Sequence, residues 1–237
     1  GSSGQNIGRT SAVAAGLPNS VAGMSIDRQC SSGMLAIATA AKQIVHDQMP
    51  ITVGGGLESI SLVQNDHRNA YRAQDPNVIA KSQHAYMSML ETAETVAKRY
   101  SISREQQDEY GLQSQQRTAA AQEAGKFDDE IVPLASKMVF VDKETKQQSV
   151  HDVTLEKDEG NRPTTTAQGL AGLKTVFEGG VITAGNASQL SDGASAAVLM
   201  DSKLAEQKGI EPLGAYKGVA VAGLDPDEMG IGPIYAV

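Results

Sequence analysis

The sequence predicts an α/β protein interrupted by an inserted polar lobe, and three observations predict this fold class. Residues 24–53 show alternating, then helically spaced, then continuous apolar positions, which is the pattern of a strand, a helix and a second strand. Residues 63–180 are richer in Gln, Asp, Glu and Lys than the segments around them. From residue 181 the small, apolar character of the opening returns. We therefore expect an α/β body whose chain leaves for an α+β lobe and comes back.

The opening unit is predicted to place a cysteine at the end of a strand. Residues 24–27 form the predicted strand, residues 28–30 a sharp turn, and the apolar positions of 34–45 repeat at helical spacing. Residues 51–53 form a second strand that leads into a tight loop of three glycines, 54–56. Such a unit requires parallel pairing with a right-handed crossover, and functional groups gather at the carboxyl ends of its strands.

The inserted lobe is predicted to begin with two long amphipathic helices, over residues 86–100 and 104–124. Ser103 and Gln106 have the spacing of a capping box, and Gly125 is a suitable stop for the second helix.

A β-hairpin is expected after these helices. Two short alternating stretches, 137–142 and 148–153, flank the polar turn 143–146. The remaining expected elements are strands at 181–183, 194–200 and 213–223, and a helix capped by Asp201 or Ser202 that ends at Lys208.

Composition excludes several classes of function. The 237 residues carry a net charge of −8 and no basic cluster, so neither a nucleic acid nor an acidic membrane surface is an expected partner. The longest apolar runs are too short for membrane insertion, and the first residues do not resemble a signal peptide. A single cysteine excludes an internal disulfide, so we expect a reducing compartment, the cytoplasm.

Cys30 is the candidate nucleophile. It precedes Ser31-Ser32-Gly33 at a predicted helix start, where free backbone amides and the helix dipole favour a thiolate. The alternative is a buried structural cysteine, and the position alone leaves the two interpretations evenly balanced. No histidine has the surroundings of a partner base, and with one cysteine no metal site is expected; the histidines are His46, His67, His84 and His151.

Three loops are candidate ligand sites. The segment 54–59 lacks the third glycine of a dinucleotide loop and is better interpreted as a turn after a strand. Ala184–Ser188 offers amide and hydroxyl groups to an extended polar ligand, although an ordinary polar loop is equally consistent. Arg162-Pro163-Thr164-Thr165 places a fixed positive charge where a phosphate or an acidic side chain can meet it.

These segments together resemble the thiolase family. The motifs that carry the resemblance are Asp27–Gly33, Gly54–Ser59, Thr92–Ala97, Gly125–Pro133, Arg162–Thr165, Ala184–Ser188 and Met229–Pro233, which occur in the family's order. The resemblance implies a thiolase-like fold of α/β/α layers with an inserted α+β loop domain and a truncated second half. Residues 1–62 then belong to the N-terminal half with the nucleophile, 63–180 to the CoA-binding loop domain, and 181–237 to the end of that half and the start of the next.

The resemblance also implies an activity and a site. Cys30 attacks an acyl-CoA or a 3-ketoacyl-CoA, and the acyl group passes to CoA in fatty-acid breakdown or to acetyl-CoA in synthesis. CoA and acyl-CoA are substrates, no cofactor is expected, and a homodimer or homotetramer is implied. Family motifs place CoA-lining positions at Met89, Arg162, Leu173, Phe177, Ala184, Ser188 and Met229. Arg162 is assigned to the adenine-nucleotide end and Ser188 to the pantetheine arm.

The chain also departs from the family pattern. It lacks an initial strand segment and the family's Asn-Glu-Ala-Phe, Gly-His-Pro and Cys-x-Gly-Gly-Gly segments, of which the last two supply a base and an acid. We therefore expect little or no turnover from these 237 residues alone. Two alternatives are a β-ketoacyl synthase, disfavoured by the 162–165 and 186–188 segments, and a non-catalytic CoA- or acyl-binding remnant or partner subunit of a thiolase.

Overall fold

The computed structural model describes residues 5–237, which divide into two compact units. The first unit is formed by the chain up to Lys81, by Leu190–Leu224 and by Gly232–Val237. The second unit comprises Ser82–Gln189 and Asp225–Ile231. The predicted domain boundaries after residues 62 and 180 stay predictions.

Helices outnumber strands among the described elements. In chain order the elements are α1 (Ile7–Ala14), α2 (Ser32–Asp47), β1 (Ile51–Glu58), α3 (Ile60–Val63), α4 (Pro76–Lys81), α5 (Met89–Arg99), α6 (Arg104–Glu123), β2 (Leu134–Val141), β3 (Gln148–Leu155), α7 (Ala167–Ala171), β4 (Gly193–Met200), α8 (Ser202–Gln207), a 3₁₀ helix (Pro226–Ile231) and α9 (Gly232–Ala236). None of the helices in this part of the chain has both the length and the apolar character that crossing a membrane requires.

The sheet of the first unit pairs β1 with β4 in antiparallel register, from Ile51 opposite Met200 to Glu58 opposite Gly193. The prediction of parallel pairing for this strand is therefore wrong. The prediction that residues 54–56 form a tight loop is also wrong, since the three glycines lie within β1. Glycine runs usually indicate a turn, but in this strand the absent side chains serve packing.

The close position of α2 explains why β1 has a glycine at residue 54. A Cβ atom added to Gly54 would lie 2.7 Å from the Cα of Ile37, so the helix backbone approaches the strand as closely as glycine permits. The buried residues of α2 are likewise small, namely Ala38, Ala40 and Ala41. The Thr52 hydroxyl donates a hydrogen bond to the carbonyl of Ala40 at 3.0 Å. This unit is thus held by small side chains at short range.

Three predicted strands are absent, at 24–27, 181–183 and 213–223. The first of these segments bonds with the start of α1 instead, because the backbone N–H of Ile7 donates to the Ser25 hydroxyl at 2.8 Å. Thr183 makes only an isolated bridge with Thr175. An alternating pattern becomes a strand only where another strand pairs with it. The predicted strand at 194–200 and the helix capped by Asp201 are confirmed.

The second unit contains α5 and α6, and both begin with a complete capping box. Ser88 and Glu91 cap α5, while Ser103 and Gln106 cap α6 as predicted. Gly125 follows α6 with a φ of +67°, the left-handed conformation expected of a helix stop. The predicted amphipathic character of α6 is wrong, since its buried residue is Asp108 rather than an apolar side chain.

The predicted hairpin is confirmed as β2 and β3, antiparallel with Leu134 opposite Leu155. Asp142 organises its turn by accepting hydrogen bonds from the backbone amides of Glu144 and Thr145 and from the Thr145 hydroxyl. These bonds lower the pKa of Asp142, and the bond from the Thr145 amide has the largest effect.

Candidate active site

Cys30 lies in a tight turn that leads directly into α2. Gln29, the residue before it, adopts a left-handed backbone with φ of 49°, which is uncommon for a side chain of this kind. Its N–H donates to Asp27 Oδ1 at 2.8 Å. Ser32 closes the turn by accepting from the Arg28 N–H at 2.8 Å and donating to the Gln29 carbonyl at 2.7 Å. The turn therefore fixes the backbone on both sides of Cys30.

The surroundings of Cys30 suit a reactive thiol. The side chain is exposed, which is incompatible with the alternative of a buried structural cysteine. It stands two residues before a helix of 16 residues, whose partial positive charge at this end favours an anion. Ser31, Ser32 and Gly33 add little bulk there, so a thioester carbonyl can approach the amides of the first turn.

The histidines lie on different segments of the chain. His46 occupies the last turn of α2, and His67 lies in an exposed turn of the same unit. In the second unit His84 is 3.8 Å from an oxygen of Asp227. His151 lies in β3 and pairs with the Ser149 hydroxyl at 2.9 Å.

The seven candidate CoA residues all lie in the second unit, and all are exposed. They stand on five different segments: Met89 begins α5, Arg162 follows β3, Leu173 and Phe177 follow α7, Ala184 and Ser188 belong to one loop, and Met229 is in the 3₁₀ helix. A Cβ added to Gly185 would lie 2.5 Å from the Leu173 side chain, so the structure brings Leu173 against the 184–188 loop. The other candidates are held by separate contacts.

The loop 184–188 is anchored through the residues that precede it. The Glu94 carboxylate accepts hydrogen bonds from the backbone amides of Val181 and Ile182 at about 2.9 Å. Thr183 is fully buried, and its amide donates to Asn186 Oδ1 at 2.8 Å. The Asn186 amide group donates in turn to the Val181 carbonyl and to Asp108 Oδ1. This bonding presents Ser188 at an exposed position.

The Arg162 backbone is held by Gln115 of α6. The Arg162 N–H donates to Gln115 Oε1 at 2.8 Å. Asn161 adds hydrogen bonds from its side-chain amide to the same oxygen and to the Gln115 carbonyl. The Arg162 carbonyl accepts from Thr165, which closes the turn after it. The guanidinium of Arg162 is left exposed.

Met229 stands beside a charged cluster that joins the 3₁₀ helix to α5. Arg99 contacts Asp227 at 2.8 Å and Glu228 at 2.6 Å, and the Tyr100 hydroxyl donates to Glu228 at 3.0 Å. The Arg99 hydrogen bond, with the charges of Arg99 and His84, lowers the pKa of Asp227, while the two carboxylates raise the pKa of Arg99.

Sequence reasoning missed the residues that hold these loops. Glu94, Arg99, Asp108 and Gln115 make the side-chain contacts that fix the candidate segments, yet each looks like an ordinary charged or polar helix residue. One signal was present in the sequence: α6 is long but has no apolar stripe, so any residue it turns inward has to be polar or small.

Comparisons with known proteins agree on one family. Residues 1–203 match the family model described as the thiolase N-terminal domain. The chain is 41% identical over 237 residues to 3-ketoacyl-CoA thiolase of Bacillus subtilis (strain 168), covering 99% of this chain and 59% of the relative. Among solved structures, acetyl-CoA acetyltransferase of Bacillus anthracis matches with a TM-score of 0.77 and 42% identity, over 98% of this chain and 59% of the other.

The dimeric peroxisomal thiolase of Saccharomyces cerevisiae also matches, with a TM-score of 0.81 and 31% identity, over 96% of this chain and 56% of the other. These neighbours confirm the predicted thiolase-like α/β fold. The chain spans about half the length of the curated relatives it matches, with values of 50% and 59% for two of them.

Proposed function

Because the chain belongs to the thiolase family, we propose that it supplies the nucleophile and the CoA-binding lobe of a thiolase-type acyltransferase. The reaction moves an acyl group between a cysteine thioester and CoA or acetyl-CoA, as 3-ketoacyl-CoA thiolysis or acetoacetyl-CoA formation. The observation that carries the proposal is the exposed Cys30, held in a fixed turn at the start of α2. Both directions pass through the same acyl-cysteine. In thiolysis Cys30 attacks the keto carbon of 3-ketoacyl-CoA, the bond from this carbon to the acetyl-CoA part breaks, and the proton of the thiol ends on the carbon of the departing acetyl-CoA.

In the direction of synthesis the Cys30 sulfur attacks the carbonyl carbon of an acyl thioester. A bond forms between Cys30 Sγ and this carbon, the bond from the carbon to the CoA sulfur breaks, and the proton of the Cys30 thiol ends on the departing CoA thiol. Amides of the first turn of α2 are suited to stabilise the oxyanion. The product is an acyl-cysteine that a second acceptor must release.

The second unit is proposed to hold CoA as a substrate, with no resident cofactor. Arg162 offers its exposed guanidinium to the phosphates of the adenine-nucleotide end. Ser188 offers a hydroxyl to the pantetheine arm from the loop anchored by Glu94 and Asn186. The apolar members of the set, Met89, Leu173, Phe177, Ala184 and Met229, offer exposed surface to the less polar parts of CoA.

Release of the acyl group is proposed to need groups beyond these 237 residues. The sequence has one cysteine and no Gly-His-Pro segment, so it offers no second thiol to move the proton in the transfer step. We therefore propose a single acylation of Cys30 without sustained turnover by these residues alone. The same observation favours a second candidate, a module that binds CoA without acyl transfer.

For the whole protein we propose a homodimer or homotetramer in the cytoplasm. The dimeric state named for the yeast relative supports the oligomer, and the single cysteine supports a reducing compartment. Size-exclusion chromatography with light scattering tests the assembly, and a monomer at high concentration would contradict it.

The function is tested by mass spectrometry of the chain before and after acetyl-CoA, with peptide mapping around Cys30. We expect one acetyl group on Cys30, none on the Cys30→Ser variant, and a slower reaction when CoA is added as competitor. Binding of CoA without acetylation would select the module that binds but does not transfer. If the chain neither binds CoA nor becomes acetylated, both proposals are overturned.

A further inference from the structure

We propose that one polar face of α6 is the frame that positions the CoA-contacting loops, and that Gln115 is the positioning residue for Arg162. The inference rests on the proposed function for its ligand, and it adds a role for residues that have no contact with CoA. The face, which we call the α6 stripe, consists of Arg104, Asp108, Gly111 and Gln115.

The spacing of the stripe places its members on one side of the helix. Residues 104, 108, 111 and 115 follow the i, i+4, i+7, i+11 pattern, which usually carries the apolar stripe of a core-facing helix. In α6 the pattern carries a cation, a carboxylate, a glycine and an amide. Asp108 is nevertheless the buried residue of α6, and Gly111 and Gln115 are half-buried. A polar face turned inward is expensive unless every group finds a partner.

The N-terminal half of the stripe holds the segment around Leu173. Arg104 donates from Nε to Asp108 Oδ2 at 2.7 Å, and its Nη2 donates to the carbonyls of Leu170 at 2.6 Å and Leu173 at 3.3 Å. Asp108 has its second oxygen at 3.1 Å from the Asn186 amide group. The Arg104–Asp108 ion pair thus contacts two candidate segments: Arg104 binds the one around Leu173, and Asp108 binds the loop 184–188.

Gly111 brings the loop 184–188 within reach of the helix backbone. A Cβ atom at this position would lie 3.2 Å from the Gly185 carbonyl oxygen, so the loop passes close to α6. A larger residue at Gly111 pushes against this carbonyl and moves the loop outwards. The close approach of the loop to the helix therefore depends on the absence of a side chain at Gly111.

Gln115 completes the stripe at Arg162. Its Oε1 accepts two hydrogen bonds of 2.8 Å, one from the Arg162 backbone and one from the Asn161 side chain. Within the described chain, Asn161 Oδ1 is buried with no hydrogen-bond partner, a cost that the Gln115 bonds must offset. Both bonds use the oxygen of Gln115, so a carboxylate can replace this amide but an apolar side chain cannot.

This chemistry defines a matched set of variants. Gln115→Met keeps an unbranched side chain of similar length and removes the acceptor, while Gln115→Glu keeps the acceptor. Gln116→Met makes the same change on an exposed residue of the same helix and serves as the control. The ligands are CoA and pantetheine, which lacks the nucleotide and phosphates that Arg162 is assigned to meet.

We expect Gln115→Met to bind CoA about tenfold more weakly than the parent chain and to bind pantetheine with unchanged affinity. The reason is that one positioning contact is lost at the nucleotide end alone. Gln115→Glu and Gln116→Met should stay within about threefold of the parent for both ligands. Damage to the fold would weaken both ligands together, so the split between CoA and pantetheine distinguishes positioning from stability.

A measurement without ligand separates this inference from the proposed function. Hydrogen–deuterium exchange of the peptide around Arg162 should accelerate in Gln115→Met and remain slow in the other two variants. If the parent binds CoA and all variants behave alike, the inference is overturned and the proposed function stands. If the parent binds no CoA, the proposed function fails, and exchange at Arg162 still decides whether Gln115 holds this loop.

Discussion

Different kinds of contact stabilise the interiors of the two units. In the first, the backbone of α2 comes so close to β1 that a Cβ on Gly54 would lie 2.7 Å from the Cα of Ile37, and the buried residues of α2 are Ala38, Ala40 and Ala41. In the second, polar contacts dominate: every buried polar or charged residue of the described chain belongs to it, namely Thr92, Asp108, Thr183 and Asp227. The nucleophile is thus carried by an apolar packing unit, and the candidate CoA residues by a hydrogen-bonded one.

The stability of each unit therefore depends on a different property of its side chains. Close packing depends on volume, so adding one methyl group at the wrong place is costly. A hydrogen-bonded frame also depends on pairing, so the loss of one partner is costly. Substitutions that add a methyl group should therefore harm the first unit, and substitutions that remove an acceptor should harm the second.

The largest expected effect is from Gly54→Ala. The new Cβ meets the Ile37 backbone at 2.7 Å, which should cost about 3 kcal/mol in the free energy of unfolding because the helix must move off the strand. Urea denaturation measures the loss, and hydrogen exchange should locate it in α2 and β1. Gly56→Ala is the control, because nothing lies within 4 Å of its Cβ position. Equal effects of the two substitutions would contradict the close-packing account.

Asp108→Ala should have the next largest effect, about 2 kcal/mol, because it leaves the Arg104 and Asn186 donors without their acceptor. Hydrogen exchange should increase around 170–173 and 183–188, measured against Glu109→Ala, an exposed carboxylate on the same helix. Unchanged exchange in both segments would contradict the prediction that Asp108 holds them by hydrogen bonds.

Ser103→Ala should cost about 1 kcal/mol, since it removes the acceptor that caps the Gln106 amide at 3.3 Å. The matched control is Ser114→Ala, an exposed position inside the same helix where alanine is a better helix former. Urea denaturation of the two variants separates a capping effect from a general response to losing a hydroxyl. A loss in Ser114→Ala as large as in Ser103→Ala would exclude capping as the cause.

The smallest expected effect depends on pH, through the cluster of Arg99, Asp227, Glu228 and His84. Arg99 holds the pKa of Asp227 below its ordinary value of 3.8, so the stabilisation is present above that value and is lost as the pH falls through the lowered pKa. The effect is small because Arg99 is 45% exposed and water screens the pair.

Comparing the parent chain with Asp227→Asn, from about pH 6 to about pH 3, isolates this contribution from other carboxylates that titrate in the same range. The variant should be less stable at the higher pH and should lose less stability on acidification. Identical acid sensitivity in urea unfolding would show that the ion pair does not contribute.

Local signals in the sequence predict helices and turns well. The helices at 32–47 and 104–123, the Ser103 cap, the Gly125 stop and the hairpin at 134–155 all follow from spacing and caps within a few residues. Such features depend on neighbours in the chain, which the sequence displays directly.

Long-range pairing is beyond the same reasoning. The sequence predicts a loop at Gly54–Gly56 because the strand β4 that pairs with all three glycines is far from them in the chain, and because the approach of Ile37 to Gly54 becomes visible only when α2 folds onto β1. The stretch at 213–223 alternates like a strand yet is not one. The candidate residues themselves come from family motifs, but Gln115 and Asp108, which hold their loops, become visible only through contacts with segments 46 to 78 positions away.

A comparison of acyl donors tests whether Cys30 is acylated by CoA thioesters in particular, as the proposed function requires. The measurement is the rate of Cys30 acetylation by acetyl-CoA against an acetyl thioester of a short thiol that lacks the nucleotide. We predict that acetyl-CoA reacts at least about tenfold faster, and that free CoA removes the difference, because remote binding energy then serves the reacting centre. Equal rates for the two donors would show that recognition of CoA does not contribute to acylation of Cys30, and would contradict the proposed function.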